Sequence, residues 1–246
     1  MDIFFELHRD IPREGPGDNA STRRAWSLLT DLPDRPRLLD IACGPGMQTL
    51  ELARISRADI TALDTHQPFL DELSRRAARE GLAGRITILN QSMFELDFEP
   101  GSFDVLWSEG AIYIIGFEQG LQAWKPLLKP GGCLAVTELS WVKADPPAEP
   151  KAFWQANYPA MKMLEENLAI LRRAGYRELD HFILPESAWW ENYYTPLEQR
   201  IALLRKKYQQ DAQASQTLDE TQREIDLFRK YSAWYGYVFY IMQKMV

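Results

Sequence analysis

Between residues 37 and 139, five short apolar runs alternate with stretches of helical periodicity, and that rhythm leaves few architectures open. Residues 37–42, 59–64, 85–90, 103–108 and 133–139 read as strands. Residues 47–55, 67–80 and 117–128 carry helical patterns, the second stopped by Gly81, and Lys129-Pro130-Gly131-Gly132 reads as a turn. Strands alternating with helices call for a mostly parallel sheet covered on both faces. The chain is predicted to be an α/β protein built on such a sheet.

The flanks differ. Gly15-Pro16-Gly17 breaks the chain before a predicted helix over 18–32, with Asp18 or Asn19 as its N-cap and Pro33 and Pro36 ending it. That break has two readings, a plain helix-start turn or a loop that closes over a ligand. Beyond Trp141, residues 145–150 form a breaker-rich loop, 158–174 a helix and 176–184 a sixth strand. Helical material then fills 187–231 around a polar interruption at 209–216, and the aromatic, β-branched run 235–242 reads as the last strand. A helical block of that size is too long for an ordinary connection and reads as a cap or lid. The expected division is an N-terminal helical segment at 1–36, a central domain from 37–186 and 233–246, and a cap at 187–232.

Charge narrows the partners. The 246 residues carry 28 Lys and Arg against 35 Asp and Glu, a net charge of −7, which argues against a general nucleic-acid binder and for a small-molecule partner. No run approaches ~18 consecutive apolar residues, so no membrane span is expected. The first ten residues lack the basic and apolar regions of a secretory signal. With only Cys43 and Cys133, a disulfide framework and a thiolate metal site are both disfavoured, and a reducing cytoplasm is the expected compartment. A homodimer is left open.

The sharpest local signal is Leu39-Asp40-Ile41-Ala42-Cys43-Gly44-Pro45-Gly46, which leaves a strand, turns on glycines and enters a helix. Glycines there let backbone approach a ligand at the point where open α/β sheets bind one. Asp64 ends the second strand twenty residues after Gly44, where a carboxylate accepts hydrogen bonds from the two hydroxyls of an adenosine ribose. A dinucleotide site would want a third glycine at position 49, and this chain has Thr49. Asp40 would repel a pyrophosphate and favour an ammonium. Both departures point toward S-adenosylmethionine, which joins an adenosine to a cationic amino-acid end.

On these residues the chain resembles the class I S-adenosylmethionine-dependent methyltransferases. The resemblance extends through Leu63-Asp64, the fourth-strand run Phe103-Asp104-Val105-Leu106-Trp107-Ser108 and the turn Leu127-Leu128-Lys129-Pro130-Gly131-Gly132, covering roughly residues 37–140. With Ser108-Glu109-Gly110-Ala111-Ile112-Tyr113 it is similar to small-molecule methyltransferases related to those of quinone biosynthesis. It implies a Rossmann-like, mostly parallel seven-stranded sheet with helices on both faces, N-terminal helices and a helical cap before the last strand. It also implies S-adenosylmethionine as cofactor. Asp40 would reach the amino group, and backbone at Ala42, Gly44 and Gly46 would line the amino-acid end. Asp64 would hold the ribose, with Thr65 and His66 beside the adenosine. Ser92 stands where the family often has an acid, so the adenine contact falls to the Ser92 hydroxyl or the Met93 backbone. Ser108 and Glu109 would sit where methyl group and acceptor meet.

Several residues keep two readings. Glu109 and Tyr113 are a candidate base and a substrate-orienting hydroxyl, or else a loop charge and a core ring. Cys43 near a helix start is a candidate nucleophile or a small residue filling a crowded turn; no histidine or second cysteine accompanies it, which favours the latter. Nine of ten tyrosines and five of eight tryptophans follow residue 140, so some of Trp141, Trp154, Trp189, Trp190, Tyr193 and Tyr194 are candidates to line a planar or apolar acceptor. The expected reaction is in-line displacement at the methyl carbon, for which alignment supplies most of the rate. The rival functions are an NAD-dependent oxidoreductase and a non-catalytic S-adenosylmethionine-binding protein.

Overall fold

The computed structural model describes residues 3–245; Met1 and Asp2 of the expected N-terminal segment and Val246 at the end of the last lie outside the described residues. In chain order the elements are α1 (Ile3–Leu7), α2 (Asn19–Ser27), β1 (Arg37–Ile41), α3 (Met47–Ile55), β2 (Asp59–Asp64), α4 (Gln67–Arg79), β3 (Ile86–Asn90) and β4 (Phe103–Ser108). There follow α5 (Ile112–Ile115), α6 (Phe117–Trp124), β5 (Leu128–Trp141), α7 (Ala148–Asn157), β6 (Lys162–Met163) and α8 (Leu164–Arg173). The chain ends with β7 (Tyr176–Ile183), α9 (Glu186–Trp189), α10 (Thr195–Lys207), α11 (Ala212–Tyr231) and β8 (Tyr235–Lys244), a wide helical turn at Trp190–Tyr194 joining α9 to α10.

The sheet runs β3-β2-β1-β4-β5-β8-β7, with β6 paired to β5 off this path. The first five strands of that order pair in parallel, and β8 inserts antiparallel between β5 and β7. Strand alternation divides the buried side chains into two cores. Leu38, Val105, Trp107 and Phe239 face one, while Leu39, Ile41, Leu106 and Tyr240 face the other. A sheet buried on both sides needs apolar residues at successive positions, which is why these strands read as continuous runs. Strand order reverses beside β1, so the crevice above β1 and β4 lies at the carboxyl ends where such sheets bind ligands.

The structure departs from the expectations at several places. Among the described residues the sheet has eight strands rather than seven, because Lys162 and Met163 pair with Ser140 and Trp141; two residues leave no alternation to read. The breaker-rich loop gives way at Ala148 to α7. Its Pro150 falls in the first turn, where an N–H has no intrahelical acceptor and its loss costs little. The helix expected from Tyr158 begins instead at Leu164. Strand β5 runs back through Lys129–Gly132, α2 stops at Ser27 and the four-residue α5 was not read as a helix. Asp18 does cap α2, accepting the Ser21 amide at 2.6 Å.

The helices after β7 share the core of the sheet. Trp189 stacks on Phe228 at 4.1 Å and lies 5.1 Å from the Tyr237 ring of β8. Among the described residues no helix is long and apolar enough to cross a membrane.

Candidate functional site

The turn after β1 is built from left-handed backbone: Ala42 at φ 59°, Gly44 at φ 53° and Gly46 at φ 81°. Gly46 also permits close packing, since a Cβ there would fall 2.2 Å from Cδ1 of Leu73 on α4. Ala42 has no such excuse. A non-glycine residue held in this region costs of order 1–3 kcal/mol, and such residues cluster at functional sites.

Two acids flank the turn. Asp40 is wholly buried; its Oδ2 accepts the Thr49 hydroxyl at 2.6 Å and the Gln48 amide at 3.4 Å, while its Oδ1 has no partner among the described residues. Burial raises its carboxyl to about pKa 7. Thr49, at the position of the third dinucleotide glycine, thus orients this carboxylate. Asp64 is held by backbone, Oδ2 accepting the Gly44 amide at 3.0 Å and Oδ1 the His66 amide at 2.9 Å. Each oxygen keeps lone-pair capacity for a further donor.

The chain before α2 crosses this turn. Arg13 donates to Glu109 Oε2 at 2.5 Å, and Glu109 Oε1 accepts from Thr22 Oγ1 and Trp107 Nε1, both at 2.8 Å. Arg13 Nη1 is buried without a partner among the described residues. Gly17 makes this fit possible, since a Cβ there would lie 2.6 Å from the guanidinium carbon. Glu14 lies over the turn, its Cγ 3.2 Å from where a Gly44 Cβ would be. Its Oε1 is unpartnered, and burial, then the neighbouring Asp64, push its carboxyl up to about 8. Sequence reasoning missed Arg13 and Glu14; the Gly15-Pro16-Gly17 break beside them was the only signal.

The remaining expected site residues divide. Ala42, Gly44, Asp64, Thr65, His66, Glu109 and Tyr113 all line one crevice of about 190 Å³, which Arg13 and Glu14 close from above. A larger cavity of about 580 Å³ shares its Glu14, His66 and Phe69 wall. The His66 ring stacks on Phe5 of α1, centroids 3.9 Å apart. Ser92, Met93 and Ser108 are not in the lining of either. Ser92 Oγ accepts the Phe94 amide at 3.2 Å, Met93 packs into the core, and the Ser108 hydroxyl donates to the Ile41 carbonyl at 3.0 Å. Gly46 acts through packing. Cys43 is buried and its thiol is pushed well above its ordinary value by desolvation, then by Asp40 and Asp64.

Residues 38–132 match the family described as a methyltransferase domain. The chain is 28% identical over 224 residues to 27-O-demethylrifamycin SV methyltransferase of Amycolatopsis mediterranei, covering 87% of this chain and 79% of that protein. It is 29% identical over 110 residues to the sterol 24-C-methyltransferase erg-4 of Neurospora crassa, covering 44% of this chain and 28% of that one. Several of the curated relatives are much longer proteins, of which this chain spans about a third or less. A Geobacter sulfurreducens S-adenosylmethionine-dependent methyltransferase, solved with S-adenosyl-L-homocysteine, superposes with a TM-score of 0.82 at 21% identity, over 98% of this chain and 97% of that one. Residues 38–132 thus match a methyltransferase-domain family, and nearly the whole chain shares its fold with an S-adenosylmethionine-dependent methyltransferase.

Proposed function

We propose that the protein transfers a methyl group from S-adenosylmethionine to a small-molecule acceptor by in-line displacement. One observation carries the reading: in the crevice wall a buried guanidinium nitrogen, Arg13 Nη1, and at the strand end beneath the glycine turn a buried carboxyl oxygen, Asp40 Oδ1, both lack partners among the described residues. Unpaired buried charge is costly, so the pair suits a zwitterionic amino-acid end, with Asp40 toward its ammonium and Arg13 toward its carboxylate. Asp64, fixed by two amides, offers oxygens to the ribose hydroxyls, and Glu14 lies beside it. The cofactor supplies the activated methyl group and its own leaving group; the chain supplies alignment and exclusion of water.

In this reading Thr65 and His66 border the adenosine, Ser92 and Met93, which line neither cavity, contribute no side-chain contact to it, and Ser108 fixes the strand end below the methyl group. Glu109 already accepts from three donors, so it anchors Arg13, and Tyr113 presents its hydroxyl to the acceptor. The same geometry counts against NAD: the unpartnered Asp40 oxygen would meet a pyrophosphate.

We read 1–36 as the segment closing the crevice, 37–186 with 233–246 as the catalytic domain and 187–232 as its cap. The net charge of −7 favours a small-molecule acceptor over nucleic acid, and two free cysteines suit the cytoplasm. A homodimer is compatible with the reading.

The test is incubation with methyl-labelled S-adenosylmethionine and a small-molecule extract. Label appearing in the low-molecular-weight fraction, and lost with Asp64→Ala, supports the proposal. Cofactor binding without any labelled product favours a non-catalytic role.

A further inference from the structure

The oxygens left without hydrogen-bond donors extend beyond the cofactor crevice. Glu138, on β5, is 2% exposed; its Oε1 accepts the Tyr158 hydroxyl at 2.7 Å and its Oε2 has no partner among the described residues. It lies past the end of β4: Val136 pairs with Ser108 two residues earlier, and the Gly110 amide donates to neighbouring Thr137 Oγ1 at 2.6 Å. The Tyr158 ring packs edge-on to Tyr113, which lines the crevice, with centroids 5.9 Å apart. The Tyr237 ring lies against Gly110, 3.7 Å from where a Cβ there would stand. A second acid, Glu224 of α11, accepts the Tyr194 hydroxyl at 2.9 Å.

These groups form one electrostatic neighbourhood. Burial raises the Tyr237 hydroxyl far above its ordinary value, and Tyr113, Tyr193, Glu138 and Glu224 push it further. Tyr193 responds to burial, then to Glu224, Tyr113 and Glu14. The rings are also in contact: Tyr237 lies 5.1 Å from Trp189, Trp189 5.5 Å from Tyr194 and Tyr194 5.2 Å from Tyr193, and Arg13, the guanidinium in the crevice wall, is tied to Glu109.

Resting on the proposed methyltransferase function, we propose that the acceptor is an amine, bound as its ammonium among the faces of Tyr113, Tyr193 and Tyr237 with Glu138 and Glu224 as counter-charges. An ammonium brings three donors and no acceptor, which answers the unpartnered Glu138 oxygen. Aromatic faces add cation–π attraction that is strongest where water is excluded. An ammonium opposite Glu138 favours its ionised form, whereas a carboxylate acceptor would meet like charge and an alcohol brings one donor in place of three. In the reaction the ammonium gives one proton to the Glu138 carboxylate, and the freed nitrogen lone pair forms the N–C bond. The C–S bond breaks, its electron pair staying on sulfur, to yield a methylammonium product and S-adenosylhomocysteine.

The experiment titrates the full chain, saturated with S-adenosylhomocysteine, with benzylamine, phenethylamine and tyramine, each against its matching alcohol, and with 3-phenylpropionate. At least one amine is expected to bind tenfold or more tightly than its alcohol, and 3-phenylpropionate more weakly than either. Glu138→Gln, which keeps the Tyr158 hydrogen bond, and Glu224→Gln are expected to reduce that preference below threefold in combination, with S-adenosylhomocysteine affinity within twofold of wild type. No amine preference in any pair overturns the inference while leaving the methyltransferase reading in place. A preference that survives both substitutions overturns it too. Failure of S-adenosylhomocysteine to bind the wild-type chain overturns both.

Discussion

Arg13 and Glu109 lie 96 residues apart in sequence and meet at 2.5 Å, their side chains 4% and 1% exposed. The contact fastens the chain before α2 to the end of β4 and so closes the crevice above the glycine turn. Removing one partner of such a pair leaves a buried charge uncompensated, at a cost of about 3–5 kcal/mol. Arg13→Met is therefore expected to lose stability of that order and to weaken S-adenosylhomocysteine at least tenfold. Urea unfolding and calorimetry read the two effects separately; unchanged values of both would contradict the assigned role.

Gly46→Ala is expected to destabilise the fold by about 2–4 kcal/mol, combining overpacking against Leu73 with a left-handed residue that is no longer glycine. Trimming the obstacle relieves only the first part. The double variant Gly46→Ala, Leu73→Ala should thus be more stable than the sum of its single variants predicts. Strict additivity in denaturant melts would show that the two side chains do not collide.

What was legible in the sequence was local. From Arg37 to Ile55 an apolar run, a glycine turn and a helical period follow one another, each recognisable over a few residues, and Asp40 and Asp64 stood out by their place at strand ends. Helix α7 was hidden because Pro146, Pro147 and Pro150 signal a break without showing which of them lies inside a first turn. Arg13 was hidden for a different reason: its importance rests on Glu109, Thr22 and Trp107, brought together only by the fold. The same three-way contact gives Glu109 a setting its place after β4 did not reveal. Ser92 drew notice as a replacement for an acid, but whether its hydroxyl faced a ligand or its own turn depended on backbone geometry.

Cofactor binding should release protons. Burial, opposed by the Thr49 and Gln48 hydrogen bonds and by Arg13 and reinforced by Glu109, raises the Asp40 carboxyl to about 7, so at pH 6 the empty site holds its proton. An ammonium opposite it favours the ionised form. Binding at pH 6 is expected to release about one proton, and affinity to rise from pH 5 to pH 7. Calorimetry in buffers of different ionisation enthalpy measures this. Asp40→Asn should abolish the release, and proton uptake by the wild type would contradict the assignment.

Stability should also depend on pH through Glu138. Burial raises its carboxyl from 4.5 to about 8, against the Tyr158 hydrogen bond that lowers it. A carboxyl whose folded value is raised contributes stability that is complete below pH 4.5 and is lost as pH climbs to about 8. Relative to Glu138→Gln, the ligand-free wild type is expected to lose stability between pH 5 and pH 8.5. Parallel unfolding curves for the two proteins across that range would refute it.

The central claim is that the crevice at the glycine turn, lined by Asp64 and with Asp40 at the strand end before the turn, holds the cofactor. Calorimetric titration of the purified chain and its Asp64→Ala variant with S-adenosylhomocysteine tests it most directly. The account predicts one saturable site in the wild type and affinity at least tenfold weaker in a variant that remains folded. No binding to the wild type, or equal affinity in both proteins, would contradict it.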